Sequence, residues 1–514
     1  MSPTGTSSLK DLRVHARTTP EKVAVVCDQQ RWTYGELDSL ANRTAQVLRA
    51  SGLSRGDHVA MFMGNRPEIL ALVWAAWRSG VYLTPMPTSL TPTELAYMVE
   101  DCQAKMVICD ARFAPNSATL KNQLGVSTVQ WFSLGGAIDG YEALEDRLAT
   151  ASNEPITDEC PGALMMYTSG TTGAPKGVIR PLLPPDWQGT PPFAADLLTL
   201  FDMGGSDVRY LSTQPLYHAA ALRFALAVTA GGGFVHVMPR FDALEALDLL
   251  EQEKITHSQW VPAMFQRLLR VHESRRAAFT APAHRCAIHG AAPCTPALKQ
   301  AMIAWWGPIL LEYYSGSEGV GLSLINSHEA LTHPGSVGRI YKGQLHVVSD
   351  PHSDVELSAG EIGLLYFSGI TPFEYHGAPD KTTTRTHAKG WQTMGDLGYA
   401  DADGFLYLTD RMDDMIISGG VNVYPQEIER VILEVPGVED CAVVGFPNDD
   451  FGERPVAFVV PQSPNSPASL LERVRTHCEI HLGRIKRPER LELIAQLPRT
   501  ATGKLLRRQL RNQF

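Results

Sequence analysis

Residues 166–177 read Met166-Tyr-Thr-Ser-Gly-Thr-Thr-Gly-Ala-Pro-Lys-Gly177. An apolar, strand-like stretch leads in, and the ten residues from Thr168 then hold three glycines and four aliphatic hydroxyls. Glycines let backbone N–H groups turn toward an anion, and the hydroxyls add donors that suit polyphosphate oxygens. A Gly/Ser/Thr surface loop shares this composition, but the preceding strand and Lys176 beside Pro175 favour an anion cradle. It is not a Walker A loop. That motif needs Gly-Lys-Ser/Thr opening a helix, whereas here Pro175 precedes Lys176 and Gly177 follows it.

On the N-terminal side, residues 23–27, 58–63, 105–109 and 128–131 read as strands, and 34–51 and 66–79 as helices. A second alternating set follows Leu164, with strands expected at 208–212, 234–238, 257–261 and 285–288. Strands alternating with helices imply α/β architecture with largely parallel sheets. From residue 335 to 408 short strands and Gly/Asp/Pro turns suggest a smaller β-rich unit. After Arg411 one helix, two strands and another helix form a compact α+β segment. The expected division is a large N-terminal domain at 1–410, a hinge at 411–414 and a small mobile domain at 415–514.

The 514 residues carry a formal net charge of −10, 44% apolar and 19% charged residues, as in an ordinary globular enzyme. That charge does not indicate nucleic-acid binding, and the basic residues gathered near the C-terminus read mostly as a solvated helical face. No apolar run reaches the ~18–20 residues of a membrane span, and the first seventeen residues lack the apolar core of a secretory signal. Eight cysteines without a CxxC pair fit reduced thiols and a cytoplasmic setting. His284, Cys286, His289 and Cys294 cluster in sequence, but their spacing fits no common zinc pattern.

The 166–177 loop resembles the signature of the adenylate-forming superfamily: acyl-CoA synthetases, luciferase-like enzymes and peptide-synthetase adenylation domains. Six further blocks resemble that superfamily's motifs in order. They are Pro215-Leu-Tyr-His218, His289-Gly-Ala-Ala-Pro293, Tyr313-Tyr-Ser-Gly-Ser-Glu318, Trp391-Gln-Thr-Met-Gly-Asp396, Asp410-Arg-Met-Asp413 and Pro498-Arg-Thr-Ala-Thr-Gly-Lys504.

The resemblance implies ATP, Mg2+ and coenzyme A as reactants and cofactor. It assigns Thr168, Ser169, Gly170, Thr171, Thr172, Gly173 and Lys176 to the phosphates, and Gly290, Ala291, Ala292 and Pro293 to the adenine side. Tyr314, Ser315, Gly316, Ser317, Asp396 and Arg411 complete the nucleotide contacts, with Asp396 on the ribose. Thr171 and Glu318 would hold magnesium, which keeps oxygen ligands and several waters. Lys504, His218 and Glu318 are the implied catalytic residues. Asp413 is the implied hinge, and Gly419 and Gly420 line the implied pantetheine path. Ser315, Ser317 and Ile417 depart from the superfamily's usual Gly, Thr and Lys/Arg.

By the same analogy the acyl pocket draws on His218, Trp260, Val261, Phe265, Gly290, Gly316 and Val320. These are mostly apolar or small, and no acid is placed to bind an ammonium, so a hydrophobic carboxylic acid is expected rather than an amino acid. Residues 216–224 and 257–262 resemble fatty, steroid and bile-acid CoA ligases of actinobacterial type. A long chain and a bulky polycyclic acid both remain open. So do transfer to a separate carrier protein, a luciferase-like oxygenase and a non-catalytic acyl-adenylate sensor. Oligomeric state is open too, a homodimer being one arrangement.

Overall fold

The computed structural model describes residues 11–125, 128–168, 175–187, 189–419, 421–463, 467–499 and 505–511. Two large sheets and a small three-stranded one form the large N-terminal part. The first has six strands, all parallel, with His58–Phe62 between Tyr82–Met86 and Ala104–Asp110 at its centre. His58–Phe62 is buried at every position, which is why it reads as a continuous apolar run rather than an alternating one.

The second sheet has thirteen strands. Its parallel half runs from Leu310–Tyr314 through Cys286–His289, His257–Trp260, Arg209–Ser212 and Phe234–Val237 to Val23–Cys27. The early strand Val23–Cys27 therefore crosses out of the first α/β set and closes the second. The β-rich stretch is hydrogen-bonded into the same sheet. Leu310–Tyr314 pairs parallel with Cys286–His289 on one edge and antiparallel with Leu322–Asn326 on the other, where the wing of short strands begins. The turn between these two antiparallel strands, 315–321, carries Ser315 to Glu318 of the Tyr313–Glu318 block.

Helices fill the space between the sheets. Glu68–Arg78 is buried at ten of its eleven positions, so it is an interior helix and not a surface one. Its Trp74 Nε1 donates to Thr229 on the equally apolar helix Ala219–Gly231 (3.3 Å). Among the described residues, no helix is long and apolar enough to cross a membrane.

The C-terminal part has its own five-stranded sheet, centred on the hairpin Val438–Asn448 and Gly452–Pro461. Ile428, Val431 and Ile432 of helix Pro425–Leu433 pack with Val474 and Cys478 of Pro467–His481 on one face, and Leu510 covers the other. Two acids tie this part to the end of strand Phe405–Arg411. Asp410 accepts from the backbone N–H groups of Arg411 (2.7 Å) and Gln426 (3.0 Å), and Arg507 bridges Asp414 (3.3 Å) and Glu429 (2.6 Å).

Burial pushes the Asp410 carboxyl up to about 7, against the pull of Arg507. An unfolded aspartate titrates near about 3.9. The folded chain thus keeps a proton that the unfolded chain has lost, and Asp410 makes stability fall as pH rises between those values. Thermal midpoints of wild type and Asp410→Asn, compared from about pH 5 to about pH 8, should shift progressively in favour of the asparagine variant. A difference that does not change with pH would refute the elevated carboxyl.

Candidate active site

The two strands that flank the quoted loop form a hairpin pair. Met166–Thr168 pairs antiparallel with Lys176–Ile179, Thr168 opposite Lys176, and Glu374–Tyr375 adds a third strand. Ser169, Gly170, Thr171, Thr172 and Gly173 lie outside the described residues, as do Gly420 and Lys504. What is described is the base of the loop. Lys176 Nζ stands 4.9 Å from the Tyr375 ring centroid, and the Tyr375 hydroxyl donates to Glu318 Oε1 (3.0 Å).

Burial lowers the Lys176 ammonium, and the neighbouring Lys381 and Arg385 lower it further. Lys176 with Lys381 and Arg385 close by forms a cationic corner suited to a polyanion. Arg385 also donates to Asp413, the expected hinge residue (2.6 Å). Neither Arg385 nor Tyr375 belongs to any motif read from the sequence, and no local pattern marks them. The fold brings them in from the β-rich wing.

Glu318 is fixed from behind. Arg180 donates to its backbone carbonyl, to that of Gly319 (3.2 Å) and to that of Thr371 (3.3 Å). A Cβ at Gly316 would lie 2.8 Å from Glu318 Oε2 and 2.6 Å from Met394 Sδ, so only glycine lets this carboxylate and Met394 close over the turn. Ser315 donates to the Gly321 carbonyl (2.7 Å), pinning the same turn from inside. Ser317 and Val320 complete it, Val320 packing with Phe367 and Met394.

Asp396 lies opposite Arg411 in an antiparallel strand pair, which brings the two charges together. Arg411 Nε is 3.1 Å from Asp396 Oδ1, and the Tyr314 hydroxyl donates to Oδ2 (2.6 Å). The Asp396 charge holds the Arg411 guanidinium up, and burial with Asp396 alongside pushes the Tyr314 phenol well above its ordinary range. Across the turn, Gly290 packs so tightly on Tyr313 that a Cβ would come 2.6 Å from its carbonyl oxygen. Ala291 follows at φ +67°, a left-handed conformation costly for a residue with a side chain. Ala291 and Pro293 are exposed and Ala292 half-buried, so this loop presents backbone to a visitor.

His218 caps helix Ala219–Gly231 without a side-chain capping bond, and its buried Nε2 has no hydrogen-bond partner among the described residues. Burial lowers its imidazole to about 4, so it is neutral near pH 7. The structure does not bring Trp260 and Phe265 to it. Both are fully buried with Trp306 in the core on one face of the parallel sheet, and Val261 caps the helix that follows. The opposite face of strand His257–Trp260 presents Gln259, which donates to the Tyr313 hydroxyl (3.3 Å) and accepts from Tyr210 (3.1 Å). Successive strand residues face opposite ways, so the residue adjoining the motif side is Gln259. In the C-terminal part, Gly419 turns at φ +56° against Phe451, amid exposed Ile417, Val421 and Phe451.

The family described as AMP-binding enzyme matches residues 12–374, and the AMP-binding enzyme C-terminal domain matches residues 427–504. The chain is 34% identical over 512 residues to the long-chain-fatty-acid–CoA ligase FadD13 of Mycobacterium tuberculosis, covering 98% of this chain and 97% of that one. It is 32% identical over 520 residues to the fatty acid–[acyl-carrier-protein] ligase ScoC of Streptomyces coeruleorubidus, covering 97% and 95%. The crystal structure of ATP-bound MatB from Rhodopseudomonas palustris superimposes with a TM-score of 0.82 at 30% identity, covering 98% and 99%.

Proposed function

From the premise that the chain belongs to the AMP-binding enzyme family and is an AMP-forming acid–thiol ligase, we propose that it activates an acid with an apolar body as its acyl-adenylate and transfers the acyl group to coenzyme A. The observation that carries this reading is the Tyr314–Asp396–Arg411 cluster, set beside a cationic corner that also holds the carboxylates of Glu318 and Asp413. A nucleoside triphosphate has matching parts: hydroxyls for a carboxylate, a base for an aromatic and backbone edge, and phosphates for the cations.

The donor set suits magnesium. Among the described residues no three His, Cys, Asp or Glu side chains converge, and magnesium takes one or two carboxylates with phosphate and water. One Glu318 oxygen is held by Tyr375, which orients the other toward the turn at Gly316. The ion would neutralise phosphate charge there. Lys176 would hold the phosphates, Asp396 the ribose, and neutral His218 would border the acyl group without adding charge.

The exposed apolar residues around Gly419 suit the narrow arm of pantetheine, which coenzyme A and a carrier protein share. The C-terminal part would turn about Asp413 between the two half-reactions. Transfer to a carrier protein is the second reading, favoured by the likeness to ScoC. The test incubates the protein with ATP, Mg2+ and fatty, aromatic and steroid acids, adding coenzyme A or a pantetheinylated carrier protein. Pyrophosphate release with a CoA-dependent thioester mass is the expected result. Thioester on the carrier protein alone would replace coenzyme A as acceptor, and failure to consume ATP with every acid would sink the reading.

A further inference from the structure

Arg223 lies five residues beyond His218 on helix Ala219–Gly231. Arg223 is half-buried, burial lowers its guanidinium, and it makes no hydrogen bond or ion pair with any described residue. Other inward arginines of this chain are satisfied. Arg78 donates to Asn42 and Asp38, Arg507 to Glu429 and Asp414, and Arg180 to three carbonyls. Among the described residues, the Tyr313 phenol is the group set to favour the Arg223 charge, while Arg180 repels it.

Its surroundings are those of the acyl side. Tyr313 precedes the nucleotide-side Tyr314, accepts from Gln259 and packs on Phe224 with ring centroids 5.9 Å apart. Ala219 and Ala220, one turn back on the same helix face, are part-exposed and fill little of the space between His218 and Arg223.

A cation held inside a fold without a counter-charge is unfavourable unless something supplies the charge. A guanidinium presents a planar fork that matches a carboxylate in two parallel hydrogen bonds. We propose that the acid activated here is a dicarboxylic acid, its second carboxylate bound by Arg223 at the end of the acyl site away from the reacting one. The inference rests on the ligase reading above and deepens it. An acid with an apolar body and a second anionic end fits both the apolar walls and this arginine. A simple fatty acid of similar length would bury the guanidinium without pairing it, and is discriminated against for that reason.

The test compares pyrophosphate release on matched pairs: monocarboxylic acids and their α,ω-dicarboxylic counterparts of equal length, in wild type, Arg223→Leu, Arg223→Lys and Arg223→Glu. Wild type should favour the diacid. Arg223→Leu should lower kcat/KM for the diacid by roughly 100-fold or more and reverse the preference. Arg223→Lys should recover part of it, since an ammonium lacks the fork. Arg223→Glu should move the preference toward ω-amino acids.

Equal losses on both members of each pair would place Arg223 on a group they share, the nucleotide or the reacting carboxylate, and overturn the inference. A wild-type preference for the monoacid would overturn it as well. If no acid of either class releases pyrophosphate, the ligase reading fails. Thermal stabilisation by the diacid alone then decides the inference separately: a shift in wild type that is lost in Arg223→Leu supports it, and equal shifts or none in the two proteins reject it.

Discussion

Replacing Lys504 by alanine is expected to slow acyl-adenylate formation by roughly 10²- to 10⁴-fold and to leave thiol attack on preformed acyl-adenylate largely intact. In the first half-reaction a carboxylate must approach the α-phosphate, and the two anions repel. A lysine between them neutralises both as the new bond forms. At an effective dielectric near 20, a unit charge at about 4 Å contributes on the order of 4 kcal/mol, or roughly a thousandfold in rate. The second half-reaction starts from a mixed anhydride and a thiol, so the repulsion that Lys504 relieves is gone. Lys504 lies outside the described residues. Its flanks are ordered as an antiparallel bridge between Arg499 and Leu505, with Arg499 also paired to Asp440 (2.8 Å). Pyrophosphate exchange reads the first step, and thioester formation from synthetic acyl-adenylate reads the second. Equal losses in both would remove Lys504 from this role.

The alternation of strands and helices was legible because each α/β unit has to bury one stripe of every helix on a sheet, and that leaves a periodic trace. The expected phosphate loop, of which residues 169–173 lie outside the described residues, stood out for a different reason: glycines, hydroxyls and a lysine at that density have few structural uses. Other parts left no trace. His257–Trp260 is buried on both faces, so it has no polar–apolar alternation to say which residues face the motif side. Trp260 and Phe265 were expected in the acyl pocket by analogy with the superfamily, and both pack in the core with Trp306.

Gln259 and Arg223 were passed over because polar residues in apolar runs give no local sign of the direction in which they point. Tyr375, Arg385 and Arg180 come from separate strands and turns, and their convergence on Glu318, Lys176 and Asp413 is a property of the folded sheet order. The β-rich wing read as a separate unit because its composition changes abruptly. The antiparallel pairing of Leu322–Asn326 with Gly338–Lys342 carries the same sheet across that change.

Replacing Asp396 by alanine is expected to lower kcat/KM for ATP by roughly 10²- to 10³-fold and to lower the thermal midpoint as well. Both effects follow from its position between Tyr314 and Arg411. Without the carboxylate, the Tyr314 hydroxyl loses its acceptor and Arg411 loses the charge that holds it, and an unsatisfied buried group costs about 1–3 kcal/mol. The loss toward ATP would add the ribose hydrogen bonds, since bonds to a charged group contribute about 1.5–3 kcal/mol each.

Asp396→Asn separates the two roles. Its amide oxygen can still accept from Tyr314, so much of the fold around the motif survives, but the charge that favours ribose hydroxyls and Arg411 is gone. ATP affinity should therefore fall in the asparagine variant by roughly 10-fold or more, while its thermal midpoint stays closer to wild type than that of the alanine variant. Titration of each variant with ATP, followed by the rise in thermal midpoint, checks both. Unchanged ATP affinity in Asp396→Asn would make Asp396 a girder for Tyr314 and Arg411, and the ribose would need another partner.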